Sequence, residues 1–130
     1  MIIRAMHLAV LLVIAAGLTA CNEVEQPQVQ KVTYADDVEP ILQKHCAECH
    51  VAGQQGAEAA GLLMDSYESI MAGTPFGPVI KPGTASTSSL YILVSGKDKL
   101  TLGMPHGKDP LSAEEIETIR VWIDNGAVEN

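Results

Sequence analysis

The chain has 130 residues, enough for one domain, and its 16 acidic side chains against eight Lys and Arg give a net charge of −8, which excludes nucleic acid as an expected partner. Its 47% apolar content is inflated by the first 20 residues. Beyond them only Tyr34, Tyr67, Phe76, Tyr91 and Trp122 are aromatic, too few for a domain of about a hundred residues to bury much volume unaided.

Met1-Ile2-Ile3-Arg4 is a short basic start, and Ala5 to Leu18 is mostly apolar, with only His7 polar. The run is short for a membrane span and ends in small residues, the pattern of an export signal. Leu18-Thr19-Ala20-Cys21 then resembles a bacterial lipobox, in which the cysteine becomes the lipidated first residue. An ordinary signal peptide followed by a stray cysteine is the competing reading. The expected organisation is a signal peptide over 1–20, a flexible tether over 21–32 behind lipidated Cys21, and one domain over 33–130. Removing the leader loses Arg4 and no acid, so the mature net charge is −9. The tether is polar and contains Pro27, and its 11 residues from Asn22 reach roughly 35 Å when extended. This places the domain on the periplasmic side of a bacterial membrane, and Asn22 after the cysteine slightly favours the outer one.

The first helix is expected from Thr33 or Ala35, or from near Val38 if Pro40 must lie in the first turn. Thr33 with Asp36 resembles a capping box, and Asp36, Asp37 and Glu39 suit the positive end of the helix dipole. These acids read as a solvated helix start rather than as catalytic carboxylates. Val38, Ile41, Leu42 and His45 share one face.

That helix delivers Cys46-Ala47-Glu48-Cys49-His50. Two thiols three positions apart, followed by a histidine, read as the attachment site of a c-type haem. Each thiol adds to one vinyl group on the porphyrin edge, and the imidazole reaches the iron. A thioredoxin-like redox pair wants a strand before the motif, which the sequence does not offer. A zinc site needs a second Cys/His pair, which His7, His45 and His106 do not supply. With Cys46 and Cys49 on haem and Cys21 on lipid, no thiol is left over.

Val51 to Gly61 reads as loop. Leu62, Leu63 and Met64 are apolar, and Asp65 is expected to cap a short helix from Tyr67 to Ala72, with Glu68 at the box position and Gly73 as the stop. Thr74 to Gly83 holds three prolines and two glycines and reads as a turning loop whose Phe76, Val79 and Ile80 wall the haem. Ser86 to Ser89 offer caps for a helix carrying Leu90, Tyr91, Leu93 and Val94, closed by Gly96. Ser112 and Glu115 form a clear capping box for the last helix, whose stripe is Ile116, Ile119, Trp122 and Ile123, with Gly126 as the stop. Trp122 is expected in the core, against the first helix or the haem edge.

The iron's sixth position has four candidates: Met104, His106, Met64 and Met71. Met104 lies in a Gly/Pro-bounded loop with no helical stripe to join, so core packing does not account for it, whereas Met64 and Met71 suit gap-filling core positions. His106 is the rival, and bis-histidine ligation gives a lower potential than Met/His. His45 points elsewhere on the helix and reads as packed or exposed.

Taken in order, Val38-Glu39-Pro40-Ile41-Leu42, Cys46–His50, Gly61 to Tyr67, Gly77 to Gly83, Met104-Pro105 and Trp122 to Ala127 resemble a c-type cytochrome, most closely the small planctomycete-type cytochrome c domain. The resemblance implies an all-α, cytochrome c-like fold of three to four helices around one covalently attached haem c. It implies first and last helices packed crosswise, His50 as proximal ligand and Met104 as distal ligand. The chain departs from the family where a second proline often follows Met-Pro, because His106 stands there. The expected function is one-electron transfer outside the cytoplasm by a carrier rather than an enzyme, acting on redox partner proteins as a monomer or as a subunit of a redox complex. The alternative is a haem sensor or peroxidase-like enzyme with an open or labile sixth site. Lys44 beside the motif, and Lys97, Lys99 and Lys108 around Met104, suggest a haem edge less negative than the rest of the surface, able to steer an acidic partner.

Overall fold

The computed structural model describes residues 31–97 and 103–130. The leader, Cys21, most of the tether and Lys99 lie outside the described residues. Among the described residues the chain forms five helices and no strand. None of these helices is long and apolar enough to cross a membrane.

The first helix, α1, runs through three contiguous stretches, Tyr34–Val38, Glu39–Leu42 and Gln43–Ala47. Thr33 caps it by accepting from the Asp36 N–H. The box is closed by Asp37 rather than by Asp36: its carboxylate accepts from the Thr33 N–H at 2.7 Å. Pro40 lies in the first turn of the regular α-helical stretch, which starts at Glu39 with Val38 as its cap, close to the expected Val38, while a wider turn precedes it. The helix tolerates it by winding wide ahead of it: the Val38 and Glu39 N–H groups reach back five residues, to the carbonyls of Thr33 and Tyr34. Proline lacks the N–H for the ordinary bond and crowds the carbonyl four residues back, and a wider turn relieves both.

Two expectations along the middle of the chain are corrected. The stretch read as loop contains a helix, α2, Gln55–Ala60. It is six residues long and mostly Ala and Gly, so it offers no apolar stripe for periodicity to detect. The next helix, α3, Tyr67–Ala72, has the expected bounds and stop, but Ser66 caps it and Ser69 completes its box. Asp65 instead accepts from the Ser69 hydroxyl at 2.7 Å.

The helix α4, Ser89–Val94, follows a 3₁₀ turn at Ala85–Thr87. Ser88 does not cap α4 with its side chain. Its hydroxyl is spent on the preceding loop, accepting from the Lys81 N–H and donating to the Thr84 carbonyl. The last helix, α5, Ala113–Asp124, begins with the expected Ser112–Glu115 box.

The core is built where α1 and α5 pass each other. The start of α5 touches the end of α1 through Glu115 and His45. Its far end meets the start of α1, where Trp122 packs on Tyr34 with ring centroids 5.5 Å apart and the Ala35 N–H donates to the Asn130 carbonyl. The two helices therefore run in opposite senses. Trp122 is 1% exposed, and Tyr67 joins the cluster edge-on to Tyr34 at 5.1 Å. Three of the five aromatics are thus gathered at one point, where contacts between ring edges and faces add to area burial. Two turns hang from the end of α5. The Gly83 N–H donates to Ile123, and the Ala85 N–H to the Asp124 carboxylate. These anchors hold the proline-rich loop and α4 beside a cavity.

Candidate functional site

The site begins with the exit of α1. The Cys46 carbonyl accepts from both Cys49 and His50 N–H groups, at 3.1 and 3.0 Å, folding the chain back on itself. Cys46 is half-buried, Cys49 is exposed, and both are free thiols. Burial pushes the Cys46 thiol up to about 11, although Lys108 pulls the other way. A redox-active pair of the thioredoxin kind works through a depressed thiol, so this environment disfavours that reading.

His50 is nearly buried, and its Nδ1 lies 3.2 Å from the Leu62 carbonyl. A carbonyl only accepts, so Nδ1 carries the proton and Nε2 keeps its lone pair. The partner is locked in turn, because the Met64 N–H donates to the His50 carbonyl at 2.7 Å. The helix α2, missed in the sequence, seals this side: its Ala57 N–H donates to the Cys49 carbonyl at 2.9 Å. A Cβ at Gly56 would come within 2.6 Å of that carbonyl oxygen and 3.1 Å of His50 Nε2, so only glycine permits the approach. The sequence signal was there in the Gly within a run of alanines, though nothing in the sequence said what the Gly approaches.

Cys46, Cys49 and His50 open onto a cavity of about 390 Å³. Leu62, Met64, Val79, Leu90, Leu93 and Val94 give it an apolar wall, and Met104 and His106 both line it. The structure therefore brings both serious candidates for a sixth ligand to the cavity of the attachment motif. Met104 is half-buried and tied to α4 through its N–H, which donates to the Leu93 carbonyl at 3.2 Å, while His106 is exposed. Met64 lines the cavity as well, but it is threaded beside His50 by the backbone bond just described. Met71 packs half-buried against the core and does not line the cavity.

The expected walls are partly corrected. Val79 and Phe76 line the cavity, but Ile80 is turned into the core at 2% exposure. Phe76 is 96% exposed on a tight turn closed by Thr74 and Gly77. Trp122 belongs to the α1 contact and not to the cavity. His45, expected elsewhere, also lines the cavity, and its Nε2 bonds Glu115 at 3.0 Å.

Of the lysines expected to make the haem edge less negative, two are paired with acids. Lys44 pairs with Glu115 at 2.8 Å, and Lys108 pairs with Glu48. Lys97 lies over the Tyr91 ring at 4.7 Å and donates to its hydroxyl. Two acid–lysine pairs thus close between segments far apart in sequence, which no local charge count reveals.

Two free thiols, an imidazole with an available Nε2 and an apolar cavity fit a covalently held porphyrin. Among the described residues no cluster of three or more His, Cys, Asp or Glu side chains is placed to hold a metal ion by itself. Residues 46–106 match the family model described as Planctomycete cytochrome C. The chain carries a planctomycete-type cytochrome c domain. The match runs from the first thiol to the residue after Met104-Pro105, so it spans the attachment segment, α2 to α4 and the Met104 loop. It supports a haem-binding, electron-carrying role for the cytochrome c domain. No curated protein and no solved structure gave a match.

Proposed function

We propose that this protein is a mono-haem electron carrier, with haem c joined to Cys46 and Cys49 and its iron ligated by His50 Nε2 and Met104 Sδ. The observation that carries this reading is the junction of the attachment motif and Met104 at one apolar cavity, with His50 Nδ1 committed to the Leu62 carbonyl. When bound, haem supplies a one-electron Fe(III)/Fe(II) couple. The chain's residues do the rest. Leu62 holds the imidazole in one tautomer and one orientation, and a hydrogen-bonded Nδ1–H makes Nε2 the better donor. Leu90, Leu93 and Val94 keep water away, which together with a thioether ligand favours a higher potential than bis-histidine ligation. Lys44 and Lys108 at the rim have their charges offset by Glu115 and Glu48.

We further propose that the domain works outside the cytoplasm, anchored by lipid on Cys21 through the 21–32 tether, and passes electrons to redox partner proteins as a monomer or as part of a complex. The sequence pattern around Cys21 supports the anchor.

A pyridine haemochrome spectrum with an intact mass tests the centre: one covalent haem per chain is expected, and a mass without haem overturns it. Carbon monoxide added to the reduced protein separates carrier from sensor or peroxidase-like enzyme. Refusal is expected of a Met104-ligated carrier, and rapid binding overturns that assignment. Palmitate labelling that survives in the parent and vanishes in Cys21→Ser is expected of the lipoprotein.

A further inference from the structure

We propose that Glu48 and Lys108 form a latch that holds the Met104 loop closed against the attachment segment and so sets how readily external ligands reach the iron. This rests on the reading of Met104 as the sixth ligand. Glu48 is one of the two spacers between the attachment thiols, and thioether chemistry asks for no acid there. Lys108 lies four residues beyond Met104 and lines the cavity. Their ion pair joins segments 60 residues apart in sequence.

The loop between is short. Its first tie is the Met104 N–H donating to Leu93 on α4, and its second is Lys108 on Glu48. Pro105, His106 and Gly107 bridge the two. Met104 lifts from the iron only if this span swings away, and the ion pair opposes the swing at the end farthest from α4. Among the described residues the other lysines of the rim are engaged elsewhere, Lys44 with Glu115 and Lys97 with Tyr91, and Glu48 pairs with Lys108. Glu48 and Lys108 are positioning residues: they act on the iron through Met104.

An exposed pair of this kind shifts an equilibrium by up to about fivefold, and salt weakens it. The test uses the haem-loaded, oxidised full protein and imidazole as the entering ligand, followed by stopped-flow absorbance. Glu48→Gln and Lys108→Met are each expected to speed imidazole binding about two- to fivefold. The reversed pair, Glu48→Lys with Lys108→Glu, is expected to restore the slow rate. Added salt is expected to speed the parent but not Glu48→Gln. Single variants as slow as a slow parent, or a reversed pair as fast as the singles, overturn the latch and leave the ligand reading standing. A parent as fast as Met104→Ala overturns the ligand reading and the latch with it.

Discussion

The His50 side of the cavity and the Met104 side are held by different kinds of contact. His50 is fixed by partners within 14 residues of it: its Nδ1 by Leu62, its carbonyl by Met64, and its neighbour Cys49 by Ala57 on α2. It is 8% exposed, and a missing Cβ at Gly56 lets α2 press directly on it. Met104 is half-buried, donates one backbone bond to Leu93, and sits in a loop whose far end is tied by an ion pair of exposed side chains. Backbone bonds inside a packed turn open only with local unfolding, whereas an exposed ion pair opens at little cost. One side is built to be permanent and the other to be adjustable.

Removing the thiols breaks the permanent side altogether. Cys46→Ala with Cys49→Ala is expected to abolish covalent haem, read as loss of haem from the chain in denaturing gels stained for peroxidase activity. Retained stain counts against both thiols as the attachment points.

Gly56→Ala attacks the same side more gently. Alanine is the better helix former, but its Cβ meets the Cys49 carbonyl at 2.6 Å, and overpacking against backbone costs about 1–3 kcal/mol. Urea denaturation is expected to show that loss. A stabilised variant means that α2 does not press on the motif.

Met104→Ala tests the adjustable side. The fold is expected to persist with about 1 kcal/mol lost, below the range for a fully buried methionine. The midpoint potential is expected to fall and carbon monoxide binding to become rapid. An unchanged oxidised spectrum and midpoint, with His106→Gln changing both, transfers the sixth ligand to His106.

The smallest effect concerns the rim between the two sides. Glu115 is held at about 2, below its ordinary 4.5, first by the Lys44 ammonium and then by the Ser112 N–H and His45. A lowered carboxyl pKa stabilises the fold above the ordinary value, and that stability is lost as pH falls from about 4.5 toward 2. Glu115→Gln is therefore expected to cost about 1 kcal/mol at pH 7, the range of an N-cap contact plus an exposed pair, and less at pH 3. Thermal melts at the two pH values check this, and an equal cost at both removes the ionised carboxyl from the account.

Much of the site was legible because it is local. The Cys46–His50 spacing, the Ser112–Glu115 box and the Gly73 stop are each written within a few residues, where chain geometry leaves little freedom. What was misread is non-local or patternless. The helix α2 carries no apolar stripe, and Ile80 turns inward while Val79 faces the cavity. The acids that pair two of the haem-edge lysines, Glu48 and Glu115, arrive from other parts of the chain, so a local reading does not see them.

The sequence by itself supplied the groups: two thiols and an imidazole at haem-attachment spacing, and a methionine in a Gly/Pro-bounded loop. Tertiary structure decided which of those groups meet. Only the folded chain brings the Leu62 carbonyl to His50 Nδ1, Met104 to the cavity of Cys46, and Lys108 to Glu48. The reason is physical: a spacing constrains atoms a few bonds apart, while contacts 60 residues apart depend on how α1, α4 and α5 pack their apolar faces.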